Sequence, residues 1–159
     1  MKTSLEAAVE RYGLNEKLLD RLMAGLDEAD WRRRPAPEGN PAIWILGHVA
    51  TYRRAVIRRL GDTLAEAPWE ALFRRGTHPD AEGAGYPSAA DLRQDLGRTG
   101  DTLRRLAAAL APDAAAAVWD WPMKGFTAEQ SVCFFHAHES YHLGQLGYVR
   151  RLLGKPGIA

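Results

Sequence analysis

The sequence is poor in the residues that most often announce a chemistry. It contains a single cysteine, Cys133. That excludes an internal disulfide and also a cysteine-built zinc or iron–sulfur site, so any metal must be held by histidine, aspartate or glutamate. Long hydrophobic runs are missing too. Stretches such as Pro41 to Ile45 fall far short of the roughly 20 residues that a bilayer crossing needs, and the N-terminus shows no basic-then-apolar leader pattern. A cytoplasmic protein with no membrane partner is expected. Charge of one sign is equally scarce: the formal net charge is +1, which gives no reason to expect a nucleic-acid partner. The arginine pairs Arg53-Arg54, Arg58-Arg59 and Arg104-Arg105 read as solvated helix faces, because Asp and Glu are interspersed with them. Finally, no segment alternates apolar and polar residues for long enough to require a sheet.

What is present is helical. Apolar residues make up 46% and charged residues 26% of 159 residues, the proportions of one ordinary globular domain, so residues 1–159 are expected to form a single unit. Ser4 is a candidate cap for a first helix carrying Leu5, Val9, Tyr12, Leu19, Leu22 and Leu26 on one stripe; it should fade near Asp30. Trp31 to Gly39 is a connection. Asn40 followed by Pro41 predicts the start of a second helix running to about Leu60, with Gly61 as its stop. Gly61 to Pro87 is irregular and rich in Gly and Pro. Ser88 with Asp91 resembles a capping box and opens a third helix through Leu92, Leu96, Leu103, Leu106 and Leu110, closed by Pro112. Thr127 with Gln130 is a stronger box, and a fourth helix should run from about Ala128 to Leu153. Four amphipathic helices must bury their stripes on one another. The expectation is therefore an all-α four-helix bundle, up-down-down-up, with a long crossover between helices two and three.

Three histidines stand out within that scheme. His138 and His142 lie four apart, differ by about 40° around the helix, and continue the apolar line of Phe135, Leu146, Val149 and Leu153. Two inward imidazoles are costly in a core unless something takes their nitrogens. A divalent ion such as zinc or nickel commonly takes three imidazoles, and His48, in line with Trp44, Ile45, Tyr52 and Val56 on the second helix, supplies the third. His136 points to another face and His78 sits in the crossing. The metal ligands predicted from geometry are His48, His138 and His142. His138-Glu139-Ser140-Tyr141-His142 also matches H-E-x-x-H, in which the glutamate is the general base of a zinc protease. That reading fails on context, because the 17 residues after His142 contain no His, Asp or Glu. Glu139 lies about 100° from the ligand face. Tyr141 and Gln145 lie closer to it, so the catalytic candidates are Tyr141, Gln145 and, less well placed, Glu139. Cys133 reads as a small buried residue with no histidine on its face. Trp31, Trp69, Trp119 and Trp121 fall in or beside connections, where capping of the core is the first expectation and lining of a pocket mouth or a subunit contact the second.

The segments Trp44-Ile45-Leu46-Gly47-His48 and His138-Glu139-Ser140-Tyr141-His142-Leu143-Gly144-Gln145-Leu146 resemble those of the DinB/YfiT superfamily. The resemblance implies an up-down-down-up bundle over essentially the whole chain, with ligands at His48, His138 and His142, and it implies a homodimer. It also implies a small-molecule substrate. Relatives include transferases that use low-molecular-weight thiols of the bacillithiol or mycothiol type, and metal-dependent hydrolases. A thiol S-transferase is the first expectation, a hydrolase the second, and a non-catalytic metal- or ligand-binding bundle the third.

Overall fold

The computed structural model describes residues 3–80 and 83–158; residues 81 and 82 of the crossing lie outside them. The elements are α1 (Ser4–Met23), α2 (Glu28–Arg32), α3 (Ala42–Arg59), a 3-10 turn (Pro68–Phe73), α4 (Ala89–Ala108), α5 (Pro112–Ala116) and α6 (Ala128–Leu152). Among the described residues there is no strand, only an isolated bridge between Val118 and Thr127. None of these helices is long and apolar enough to cross a membrane.

Local chemistry moves several boundaries from their expected places. Thr3, not Ser4, caps α1, because Glu6 three residues on returns the bond to the Thr3 amide. α1 then stops at Met23 instead of fading near Asp30. Gly25 takes a left-handed φ of 74°, and Asp27 and Asp30 cap each other reciprocally to start the separate α2. Asn40 does not cap α3. Pro41 holds the cap position with no side-chain bond, its carbonyl accepting from the Trp44 and Ile45 amides, and Asn40 is left free to line a pocket. Ser88 accepts the Asp91 amide, but the Asp91 carboxylate takes the Ser88 hydroxyl proton at 2.7 Å, so this is half of a box. The Thr127–Gln130 box of α6 is complete.

Side-chain contacts fix the directions of the four long helices. Tyr12 donates to the Val132 carbonyl, Ser140 to Asn15 Oδ1, and Arg150 to the Leu22 carbonyl. Numbers rise together, so α1 and α6 are parallel. Tyr52 stacks on Phe135 while His48 meets His142, which makes α3 antiparallel to α6. Arg93 pairs with Asp20 and Arg104 with Glu16, so α4 opposes α1. The course is up-down-down-up, and the crossing joins the parallel helices α3 and α4. The core is divided along the bundle. Leu19, Leu22, Ile43, Leu46, Leu92, Leu96, Leu143 and Leu146 form one apolar cluster; Leu5, Tyr12, Val56, Ile57, Leu103, Val132 and Phe135 form the other. Between them, on α3 and α6, lies a polar layer that contains His48, Arg53, Arg54, Glu139 and His142, all buried.

Candidate metal centre

The site begins with a glycine. A side chain at Gly47 would place its Cβ 2.5 Å from the Phe73 ring, so only glycine lets the 3-10 turn lie directly on α3. That approach brings the Phe73 carbonyl within 2.6 Å of His48 Nδ1. A carbonyl can only accept, so Nδ1 carries the proton and Nε2 keeps its lone pair. On α6, His142 Nδ1 lies 2.7 Å from Gln145 Oε1, and the Gln145 amide nitrogen donates to the Tyr141 hydroxyl at 3.1 Å. His142 Nε2 is therefore also a free lone pair.

His138 stands between these two. Its Nε2 is 3.3 Å from His48 Nε2 and 3.1 Å from His142 Nε2. With Nδ1 protonated on both neighbours, a proton on His138 Nε2 can serve only one of the two contacts well, and the lone pair of the other neighbour is left without a donor. A cation removes that conflict. Zinc–imidazole bonds of about 2.0–2.1 Å in tetrahedral geometry put the ligand nitrogens about 3.3 Å apart, close to both contacts. One ligand atom from each histidine lies within 4.8 Å of the others, and no fourth His, Cys, Asp or Glu joins this group among the described residues.

The protonation state agrees with ligation. Burial pushes His48 down to about 4, with the Phe73 carbonyl opposing and His142 reinforcing the shift. Burial, aided by His142 and His48, pushes His138 down to about 3. His142 is also lowered by burial, against the pull of Gln145. All three imidazoles are neutral at neutral pH, the form that binds metals.

The nitrogens open onto a pocket of about 490 Å³. Its walls are aromatic: Trp44, Tyr52, Trp121, Phe134 and Phe135, with the Trp44 indole stacked on His48 at 4.8 Å. The only charged side chain in the lining is Arg75, and no carboxylate is present among the described residues.

The structure sorts the other candidates. Tyr141 is exposed at the pocket rim, and Gln145 reaches the site through His142. Glu139 points away into the bundle, where its two oxygens accept from Arg53 Nε at 3.1 Å and Nη2 at 2.6 Å. The same guanidinium bonds Glu16 and the Leu96 carbonyl. Arg54 pairs with Glu70 and Asp95. The expectation that Arg53 and Arg54 are solvated is thus corrected: carboxylates from the other elements meet them inside, on a helix buried nearly all round. His136 sits beside Ser140 and edge-on to Tyr12, and His78 is exposed. Cys133 is half-buried and shares a surface cleft with His136, contrary to expectation. Burial, with Glu129 reinforcing, pushes its thiol up, and the thiol donates to the Ser4 carbonyl. Sequence reasoning missed the Phe73 carbonyl, which no side-chain pattern signals. It also missed Arg75, whereas Trp121, expected first as a core cap and second at a pocket mouth, lines the pocket.

Comparison with known proteins returns no curated protein that matches significantly. Among solved structures, a conserved protein from Enterococcus faecalis aligns with a TM-score of 0.75 at 18% identity, over 98% of this chain and 99% of that one; at such identity the likeness speaks for the fold alone. The family evidence is in the sequence profile that matches residues 11–146, described as the DinB superfamily. A match across that much of the bundle, taking in all three histidines, settles its kinship, and the chain belongs to the DinB superfamily.

Proposed function

We propose that the chain is a metal-dependent S-transferase, in which His48, His138 and His142 hold one zinc or nickel ion and a low-molecular-weight thiol of the bacillithiol or mycothiol type attacks an electrophile. The observation that carries this reading is a three-nitrogen donor set opening onto a pocket whose lining, among the described residues, has one guanidinium, that of Arg75, and no carboxylate. A divalent ion held there would supply Lewis acidity, lowering the pKa of a thiol so that it persists as thiolate at neutral pH. In the overall reaction a sulfur–carbon bond forms while the carbon–leaving-group bond breaks. The leaving group departs with the electron pair, and the thiol proton passes to solvent.

The chain's residues bind and orient. The Arg75 guanidinium offers a carboxylate of the thiol two parallel N–H donors. Phe73 and Gln145 fix the rings of His48 and His142 through their Nδ1 protons, and the aromatic walls keep water from the sulfur. Tyr141 accepts from Gln145 and retains its own proton, which it can donate to the departing group. Hydrolysis would require a base beside a water, and the nearest sequence candidate, Glu139, is bound by Arg53.

Conjugation of a bacillithiol-type thiol to chlorodinitrobenzene tests the reading. A metal-dependent rate is expected, abolished in His138→Ala. Arg75→Ala should raise the KM for thiol about tenfold with kcat little changed, as for loss of a charged hydrogen bond. No rate above background, together with metal-dependent ester hydrolysis, would refute it.

A further inference from the structure

A second cavity, of about 740 Å³, runs along the outer face of α6. It meets the histidine pocket at Asn40, Tyr141 and Gln145, which line both. The second lacks the imidazoles of the first. The second is walled by Pro35, Ile45, Tyr148, Val149 and Leu152, with Glu38 its only charged side chain among the described residues. Tyr141, Tyr148 and Leu152 are exposed by 63%, 67% and 48%. A concave, mostly apolar surface, with Asn40, Ser140 and Gln145 as its neutral polar groups, beside a site, signals a ligand more than scattered surface residues do.

Its floor includes Gly144, in the middle of α6. Glycine is the poorest helix former after proline, and packing gives no reason for it here, since a Cβ at Gly144 would meet nothing within 4 Å. What any side chain there would do is fill the groove. The shared wall is tied to the metal centre as well, because Tyr141 bonds Gln145 and Gln145 bonds His142. A ligand in the groove therefore touches residues that orient a ligating imidazole.

Resting on the thiol-transfer reading, we propose that this groove is the subsite for an apolar chain or ring of the electrophile, whose reacting carbon sits over the three histidines. The substrate class is then a hydrophobic electrophile with a reactive end, extending from the histidines past Gln145 toward Leu152.

The test uses the full chain loaded with zinc and a series of linear hydroxamates, from acetohydroxamate to octanohydroxamate, measured by calorimetry. Affinity should tighten about fourfold per added methylene, the value for burying one. Gly144→Leu should flatten the series while leaving acetohydroxamate binding unchanged, and Tyr148→Ser should lessen its slope. Gly13→Leu in α1, where a Cβ also meets nothing within 4 Å, is the matched control and should alter neither. A metal-free arm separates the two readings: N-phenylnaphthylamine should bind and fluoresce in wild type and not in Gly144→Leu. Dye binding lost in that variant, without any hydroxamate binding, would remove the metal reading and support the apolar subsite. A flat series in wild type, or dye and chain-length effects that survive Gly144→Leu, overturns the subsite. So does a flat series from a dimer that Gly144→Leu dissociates in sedimentation, since a second copy would then occupy the groove.

Discussion

His138 and Glu139 are adjacent in the chain, yet they belong to two buried polar clusters of opposite character. Around Glu139 every charge faces its complement: Arg53 against Glu139 and Glu16, Arg104 against Glu16, Arg54 against Glu70 and Asp95. Around His138 no counter-charge exists among the described residues, and three Nε2 atoms converge with too few protons to satisfy them. A polar cluster whose charges are paired, with only Asp95 Oδ2 left without a hydrogen-bond partner among the described residues, fastens the helices together. One that leaves lone pairs aimed at a common point, and opens on a pocket, is built for something that is not protein.

That contrast can be broken most forcefully from the closed side. Glu139→Ala takes from the buried Arg53 guanidinium its bidentate partner, leaving it Glu16 and the Leu96 carbonyl, and should lower the unfolding free energy by about 3 kcal/mol in urea denaturation, while metal bound per folded chain stays constant. A parallel fall in metal would show that the two clusters are one. From the open side, Gln145→Leu removes the acceptor of the His142 Nδ1 proton and should weaken metal affinity about 10- to 100-fold in chelator competition, with the metal-free protein no less stable by more than about 1 kcal/mol.

Acidity sharpens the contrast in a third way. His48 and His138 titrate at about 4 and about 3 in the fold, against an ordinary value of 6.5. As pH falls from 6.5 toward 4 the unfolded chain takes up protons that the folded chain refuses, so stability is present above 6.5 and is lost through that window. The metal-free protein should show this loss in denaturant midpoints, with a shallower slope in His138→Ala. An equal slope in the variant would remove the histidines from the account. The smallest effect belongs to Cys133→Ser: a change under about 1 kcal/mol, because its thiol makes one weak bond, and no change in metal content.

Much of this was legible in the sequence, for reasons that differ by element. The Thr127–Gln130 box and the four-residue step from His138 to His142 are local rules, and α6 follows them. The up-down-down-up course followed from the length of the crossing. Arg53 and Arg54 were misjudged because burial of a charge is decided by partners distant in sequence, here Glu16, Glu70, Asp95 and Glu139. The Phe73 carbonyl is a backbone group, placed by the missing side chain of Gly47, and Arg75 reaches the pocket only because the crossing folds back over α3. Asn40 looked like a cap, but the helix starts one residue later and Pro41 holds the cap position with no side-chain bond, a one-residue shift that no local rule signals.

The central claim is that three imidazoles from two helices share one ion. Elemental analysis of protein purified without a metal-affinity tag tests it most directly. The account predicts about one zinc or nickel per chain, absent from folded His138→Ala; protein that is metal-free and takes up none from added zinc or nickel would contradict it.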